Sequence, residues 1–118
     1  METRRLGKTD MKVSILGFGG AEIGLEGTGT SLETVTRLLH SALDQGLNLI
    51  DTGECYANSE ELIGQAVSGR RHDYYLFTKC GHKCRDRDEI LKEDWRPDSL
   101  LRSIERSLTR LRTDCLDL

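Results

Sequence analysis

The sequence has no long apolar run and no excess of positive charge. No stretch approaches the ~18 apolar residues that a membrane-spanning helix needs, and residues 1–9 are too polar for the apolar segment of a secretory signal. Lys and Arg number 17 against 20 Asp and Glu, giving a net charge of −3, so no basic field exists to attract phosphate backbones or anionic lipids. These absences predict a soluble, cytoplasmic protein with no nucleic-acid or membrane partner.

Apolar residues are also scarce, at 36% of the chain against 31% charged residues, which predicts a thin core. A length of 118 residues is one domain or a piece of one. We therefore expect residues 1–118 to form a partial domain. Arginines cluster near the end of the chain at Arg102, Arg106, Arg110 and Arg112. The first three recur every four residues, which is typical of a solvated stripe on one helix.

Strand-like and helix-like segments alternate along the chain. The predicted strands cover residues 13–20, 47–50, 74–78 and 115–118. The first helix begins at Thr30, which has capping-box spacing to Glu33, and stops at Gly46. Its predicted apolar face consists of Leu32, Val35, Leu38, Leu39, Ala42 and Leu43.

Two further helices complete the alternation. Asn58 can cap the second helix and Gly69 can end it, while Pro97 suits the first turn of the third. The buried face of the second helix is predicted to be Leu62, Ile63, Ala66 and Val67. That of the third is predicted to be Leu100, Leu101, Ile104, Leu108 and Leu111.

This alternation predicts an α/β fold with a parallel sheet, either doubly wound or a (β/α)₈ barrel. Gly17, Gly19 and Gly20 end the first strand, but Glu22 stands where a dinucleotide-binding G-x-G-x-x-G needs its last glycine. A phosphate-binding G-x-x-x-x-G-K-[ST] does not occur either. The barrel places functional residues at the carboxyl ends of strands, where Asp51 and Lys79 fall.

Four segments resemble the aldo-keto reductase family in the right order and spacing. They are RRLGKTDMKVSILGFGG (4–20), LNLIDTGECYANSEELIGQAV (47–67), LFTKCG (76–81) and SIERSLTRLRTDCLDL (103–118). The resemblance implies the amino-terminal half of a (β/α)₈ TIM barrel, with an amino-terminal β-hairpin, that ends as the fourth barrel strand begins. The pattern is closer to the broad microbial and plant branch than to the vertebrate aldose reductases.

The resemblance also implies catalytic roles for Asp51, Tyr56 and Lys79. The family transfers hydride from a nicotinamide cofactor to an aldehyde or ketone, and Tyr56 matches its general acid. A free phenol has a pKa of about 10 and is a poor proton donor at neutral pH, so a neighbouring cation is needed. Lys79 matches that cation, and Asp51 matches the carboxylate that fixes the ammonium. Taken singly, each residue could instead be an ordinary helix cap, core-edge tyrosine or solvated lysine.

The family's cofactor is usually NADPH, with NADH possible, and its substrate is a small-molecule carbonyl compound. The nicotinamide end is expected near Gly20, Ala21 and Asp51. The family's catalytic histidine lies beyond Leu118, and none of the three histidines His40, His72 and His82 matches it. We therefore expect the 118-residue chain to be inactive alone, and its open sheet to need a second copy or a carboxyl-terminal half.

Two other functions remain open from the sequence. Four cysteines are present, and a charged chain without an export signal suggests reduced thiols. Cys80, His82 and Cys84 could hold zinc with Cys55 or Cys115 as a fourth ligand, although paired zinc spacing is missing. The catalytic reading requires no metal. A non-catalytic binding or scaffold half-barrel is the second alternative.

Overall fold

The computed structural model describes residues 1–25, 30–83 and 92–118. Its strands are β1 (Thr3–Arg5), β2 (Lys12–Ser14), β3 (Phe18–Gly19), β4 (Leu49–Asp51), β5 (Tyr75–Phe77), β6 (His82–Lys83) and β7 (Lys92–Glu93). Its α-helices are α1 (Ala21–Leu25), α2 (Leu32–Asp44), α3 (Ser59–Val67) and α4 (Pro97–Leu111), and a 3₁₀ helix covers Ser68–Asp73. None of the helices in these ranges is long and apolar enough to cross a membrane.

The central sheet contains β3, β4 and β5 in chain order, and all three strands are parallel. Ile50 in the middle strand lies opposite Phe18 on one side and Leu76 on the other. Strands β1 and β2 form the expected amino-terminal hairpin, and β6 pairs with β7 in a second antiparallel ribbon. A spatial order that follows the chain order fits progressive barrel winding, because a doubly wound sheet reverses direction at a switch point.

The helices pack in sequence, α2 against α3 and α3 against α4. The core between them and the sheet contains the fully buried side chains Val35, Leu39, Ile50, Ile63 and Leu76. Gly64 lets α3 and α4 approach closely, because a Cβ at this position would clash with the carbonyl oxygen of Arg110. The predicted buried face of α3 is confirmed at all four of its positions.

Helix α2 begins one residue later than predicted. Ser31 occupies the N-cap, and its side-chain oxygen accepts a hydrogen bond from the backbone N–H of Thr34 at 3.2 Å. The predicted capping box from Thr30 to Glu33 is therefore wrong. Three residues of the predicted apolar face are buried, whereas Leu32 and Leu38 are exposed. The stop at Gly46 is confirmed, since Gly46 follows the C-cap with a φ of +87°.

The predicted buried face of α4 is confirmed at Leu111 but is wrong in part. The buried residues of the helix are Ser103, Ser107 and Leu111, whereas Leu101 and Ile104 are 61% and 39% exposed. The Ser103 hydroxyl donates to the Glu54 carboxylate, a polar contact that apolar periodicity cannot predict. Pro97 does occupy the first turn of the helix, as predicted.

Several strand and helix bounds also differ. The predicted strand 13–20 is divided, because residues 15–17 separate β2 from β3. Gly69 lies inside the 3₁₀ helix and does not end a helix. Residues 115–118 are not a regular strand, but the Thr78 N–H donates to the Leu118 carbonyl at 2.9 Å and the Asp117 N–H to that of Leu76 at 3.0 Å. The segment thus runs beside β5 with too few bonds for a full ladder.

Candidate active site

Asp51 and Lys79 meet at the carboxyl edge of the central sheet. Asp51 ends β4, and Lys79 lies two residues beyond β5, the next parallel strand. The Lys79 ammonium donates to the Asp51 carboxylate at 2.6 Å and to the carbonyl oxygen of Thr52 at 2.8 Å. Both side chains remain over 40% exposed, at 46% for Asp51 and 42% for Lys79, so small molecules can reach the pair.

Tyr56 joins this pair from the loop that follows β4. Lys79 Nζ lies 5.0 Å from the centroid of the Tyr56 ring, within the range of a cation–π contact. Tyr56 is half-buried, and its ring lies against Gly53, where an added Cβ would be 3.4 Å away. The three residues predicted as catalytic are therefore brought together on one rim, with the ammonium between the carboxylate and the phenol ring.

The electrostatic environment keeps Lys79 charged. Burial alone lowers the pKa of Lys79, but the hydrogen bond and charge of Asp51 outweigh it, with a further contribution from Tyr56. The pKa is therefore raised above the ordinary value of 10.5. A cation at this position persists at neutral pH and can stabilise negative charge that develops nearby.

The loop carrying Tyr56 is held by its own backbone. The Tyr56 N–H donates to the Gly53 carbonyl at 2.9 Å, and the Ser59 N–H donates to the Tyr56 carbonyl at 2.9 Å. Ala57 has a φ of +47°, a left-handed conformation that a residue with a side chain adopts only when its surroundings impose it. The strained residue directly follows the candidate acid, which is typical of functional loops.

Gly20 and Ala21 lie at the same rim, where β3 ends and α1 begins. Gly20 is buried, its N–H donates to the Asp51 carbonyl at 2.7 Å, and its carbonyl accepts from the Ser59 hydroxyl at 2.6 Å. A Cβ at Gly20 would lie 2.8 Å from the Ser59 hydroxyl oxygen, so the site requires glycine for packing. The cofactor contacts predicted for Gly20 and Ala21 remain predictions.

The zinc alternative depends on a residue outside the described ranges. Cys80 follows β5 and His82 is the first residue of β6, whereas Cys84 falls in the segment 84–91. His82 instead contacts Glu93 at 3.6 Å and packs edge-to-face with the Trp95 ring, with ring centroids 6.1 Å apart. Within residues 1–25, 30–83 and 92–118, no three His, Cys, Asp or Glu side chains form a group that could hold a metal ion.

Sequence reasoning missed a set of buried polar side chains beneath the rim. Ser59 and Glu60 are buried at the start of α3, and the Ser59 hydroxyl hydrogen-bonds to that of Thr52 at 2.9 Å. The Thr78 hydroxyl donates to Glu60 at 2.7 Å, and an Arg110 nitrogen lies 3.5 Å from the second Glu60 oxygen. The only sequence signal was the arginine repeat on α4.

That repeat is not a solvated stripe along its whole length, so this expectation was wrong in part. Arg106 forms an ion pair with Glu54, and Arg110 forms ion pairs with Glu60 and Glu61. The three carboxylates lie on the loop and helix that follow β4. Two of the three arginines therefore join α4 to the polypeptide on either side of Tyr56.

Comparison with known proteins shows which family shares this sequence and fold. Residues 15–118 match the model of the aldo/keto reductase family. The chain is 34% identical over 120 residues to an uncharacterized oxidoreductase of Bacillus subtilis, covering 100% of this chain and 38% of the relative.

Two solved structures show the same fold. An aldo-keto reductase from Bacillus halodurans, in its holo form, matches with a TM-score of 0.85 and 33% identity, covering 98% of this chain and 38% of that one. An aldo/keto reductase from Klebsiella pneumoniae, solved in complex with NADP and acetate, matches with a TM-score of 0.73 and 30% identity, covering 98% of this chain and 37% of that one.

The chain thus spans under two fifths of the length of these relatives. The matching structures are (β/α)₈ barrels, and the three parallel strands with their helices form the amino-terminal part of that fold, as predicted. The family is generally one of NADP-dependent oxidoreductases, and the Klebsiella pneumoniae relative was solved with NADP bound. With the family model matched over residues 15–118, the chain belongs to the aldo/keto reductase family.

Proposed function

We propose that the protein carrying this chain reduces aldehydes or ketones to alcohols with NADPH, or with NADH as the other candidate donor. The observation that carries the proposal is the Asp51–Lys79 ion pair of 2.6 Å, whose ammonium lies 5.0 Å from the centre of the Tyr56 ring. Its cytoplasmic location is part of the same proposal.

Tyr56 acts as the general acid in this proposal. As a carbonyl oxygen gains negative charge, the phenol hydroxyl donates its proton to that oxygen. Lys79 stabilises the charge left on the phenol oxygen, and Asp51 holds the ammonium in place through its short hydrogen bond. Because the pair acts mainly after charge develops, it favours the transition state over the ground state.

The rim fits the nicotinamide end of such a cofactor. The Asp51 carboxylate is 46% exposed and can accept a hydrogen bond from a polar group of the cofactor, with Gly20 and Ala21 beside it. When bound, the cofactor supplies the hydride. The chain's own residues supply the proton, hold the ammonium and leave the rim accessible to a carbonyl compound.

The proposal is tested by substituting Tyr56 with Phe in the complete protein. We expect kcat for NADPH-dependent carbonyl reduction to fall by about 10²–10⁴-fold, because general acid catalysis contributes on that scale. The dissociation constant for NADPH should stay nearly unchanged. Oxidation of NADPH followed by absorbance measures the first, and quenching of protein fluorescence measures the second.

Tyr75→Phe is the matched control. Tyr75 is half-buried in β5, and its hydroxyl oxygen accepts a hydrogen bond from the Lys12 N–H at 3.3 Å. This variant should retain the wild-type kcat. A Tyr56→Phe variant that keeps its full rate would show that the phenol is not the acid.

We also propose that another polypeptide segment covers the open edges of this sheet. Ile15, Leu16 and Leu118 are 56%, 60% and 69% exposed, and residues 117–118 pair along only one strand. Open sheet edges associate readily with further strands. Light scattering on the purified 118-residue chain should report a mass above 13.3 kDa or an unfolded chain. A folded monomer of 13.3 kDa with cooperative unfolding would contradict this.

A further inference from the structure

The Glu54 carboxylate lies two residues before Tyr56 and is only 11% exposed. One oxygen accepts a hydrogen bond from Arg106 Nε at 2.7 Å, and the other accepts from the hydroxyl of Ser103. Both donors lie on α4, three residues apart, so they occupy one face of the helix. A second Arg106 nitrogen contacts the same carboxylate oxygen, so the guanidinium binds Glu54 through a charge-assisted contact.

The backbone of Glu54 makes a further connection. Its N–H donates to the carbonyl oxygen of Lys79 at 3.2 Å. Glu54 therefore joins the Tyr56 loop to α4 through its side chain and to the end of β5 through its main chain. The two candidate catalytic residues, Tyr56 and Lys79, are linked through this one residue.

Other contacts also dock α4 on the rest of the fold. The helix already packs on α3 where Gly64 permits close approach, and the Arg110 ion pair with Glu60 supports the same contact. The Tyr56 loop is less buried than this helix contact, since Glu54, Cys55 and Tyr56 are half-buried and Ala57 is exposed, although Gly24 of α1 lies close against the Tyr56 carbonyl. The left-handed conformation of Ala57 also requires external restraint. The hydrogen bonds of Glu54 can therefore restrain the Tyr56 loop.

We propose that Glu54, clamped by Ser103 and Arg106, is a positioning residue that holds the Tyr56 phenol against Lys79. The inference rests on the proposed reductase function. It assigns a role in catalysis to α4, which contributes none of the three residues at the rim. Loss of the clamp should let the phenol move by about an ångström, and displacements of that size cost up to about 10²-fold in rate.

Hydrogen exchange tests the clamp without reference to activity. Glu54→Ala and Arg106→Met are made in the complete protein, and exchange is measured by mass spectrometry on peptides covering residues 53–59. We expect the amides of Tyr56 and Ser59 to exchange about tenfold faster in both variants, because local opening becomes easier. Arg102→Met is the matched control, since Arg102 is exposed on the same helix.

Kinetics on the same variants test the positioning role. We expect kcat to fall by about 10- to 100-fold in Glu54→Ala and Arg106→Met, while the NADPH dissociation constant stays within about twofold. Glu54→Gln, which keeps an acceptor oxygen for Ser103, should recover part of the rate. In the double variant Glu54→Ala/Arg106→Met, kcat should fall little more than in either single variant, because both substitutions break the same clamp. A merely structural role would reduce the folded fraction and leave kcat per folded molecule unchanged.

Two results would overturn the proposal directly. Unchanged exchange at Tyr56 in both variants would show that Glu54 does not hold the loop, whatever the activity. Faster exchange with unchanged kcat would show that the loop's position does not matter for the reaction. A wild-type protein that reduces no carbonyl compound would overturn the reductase function and the positioning role together, and the exchange data would then separate a real structural clamp from none.

Discussion

The parallel sheet is held by different forces in two regions: where it packs against the helices, and at the rim formed by the carboxyl ends of its strands. Between the sheet and the helices, the contacts are apolar, and side chains such as Leu39, Ile50 and Ile63 are fully buried. At the rim, the contacts are polar and directional. They include the Lys79–Asp51 ion pair and the clamp on Glu54.

This difference separates what forms the fold from what aligns the site. Apolar burial is roughly proportional to area and has little directional preference, so it fixes which faces meet. Hydrogen bonds require narrow distances and angles, so they fix where individual atoms lie. The core should therefore tolerate changes at the rim, and the rim should lose its geometry without a large loss of stability.

Lys79→Met breaks the rim and spares the core, and of the substitutions that separate rim from core we expect it to have the largest effect. The rate of carbonyl reduction in the complete protein should fall by about 10²-fold or more, because a preorganised charge at the developing anion is lost. The free energy of unfolding should change by only about 1 kcal/mol or less, since both partners of the ion pair are over 40% exposed. Steady-state kinetics and urea unfolding measure the two quantities.

The pH dependence of the wild-type protein gives an independent check on Lys79. Its pKa is raised in the folded state, so the ion pair's small stabilisation is fully present below the ordinary value of 10.5. It is lost only as the pH rises through the higher folded value. If wild type and Lys79→Met had the same free energy of unfolding near pH 7, this would contradict a lysine that is charged in the folded protein.

Gly64→Ala acts first on the core side, at the contact between α3 and α4. The added methyl group would lie 2.8 Å from the Leu111 Cα and would clash with the Arg110 carbonyl, so α4 must shift. We expect a loss of about 1–3 kcal/mol in the free energy of unfolding, as for other overpacked contacts. Urea unfolding followed by circular dichroism measures it. Gln65→Ala, at the exposed neighbouring position, should change stability by less than about 0.5 kcal/mol.

The core side was largely predictable from the sequence. The spacing of Leu62, Ile63, Ala66 and Val67 placed the buried face of α3 correctly, and glycine marked the end of α2. Periodicity was right only in part at α4, where Leu111 is buried as predicted but Ser103 and Ser107 are buried while Leu101 and Ile104 are exposed. A pattern of apolar residues carries no information about where backbones come closest.

The rim was predictable only in part. The positions of Asp51 and Lys79 at strand ends follow from barrel topology, and the ion pair between them is observed. The partners of Arg106 and Arg110 lie about fifty residues earlier in the chain, on a loop and on a different helix. Helical spacing describes neighbours along one helix, so it could not reveal pairings that depend on how α3 and α4 pack.

Ser31→Ala should have the smallest effect and affects a helix end on the core side. Its side-chain oxygen satisfies the Thr34 N–H, one of the backbone donors that lack a partner within the first turn of α2. We expect a loss of about 1 kcal/mol in the free energy of unfolding and an unchanged kcat, because the cap lies outside the rim. Ser31→Asp should keep most of the stability, since aspartate also caps well and favours the helix dipole. Thermal unfolding of both variants measures the difference. Equal stability of Ser31→Ala and wild type would return the cap to Thr30, and a reduced kcat would mean that the start of α2 is coupled to the rim.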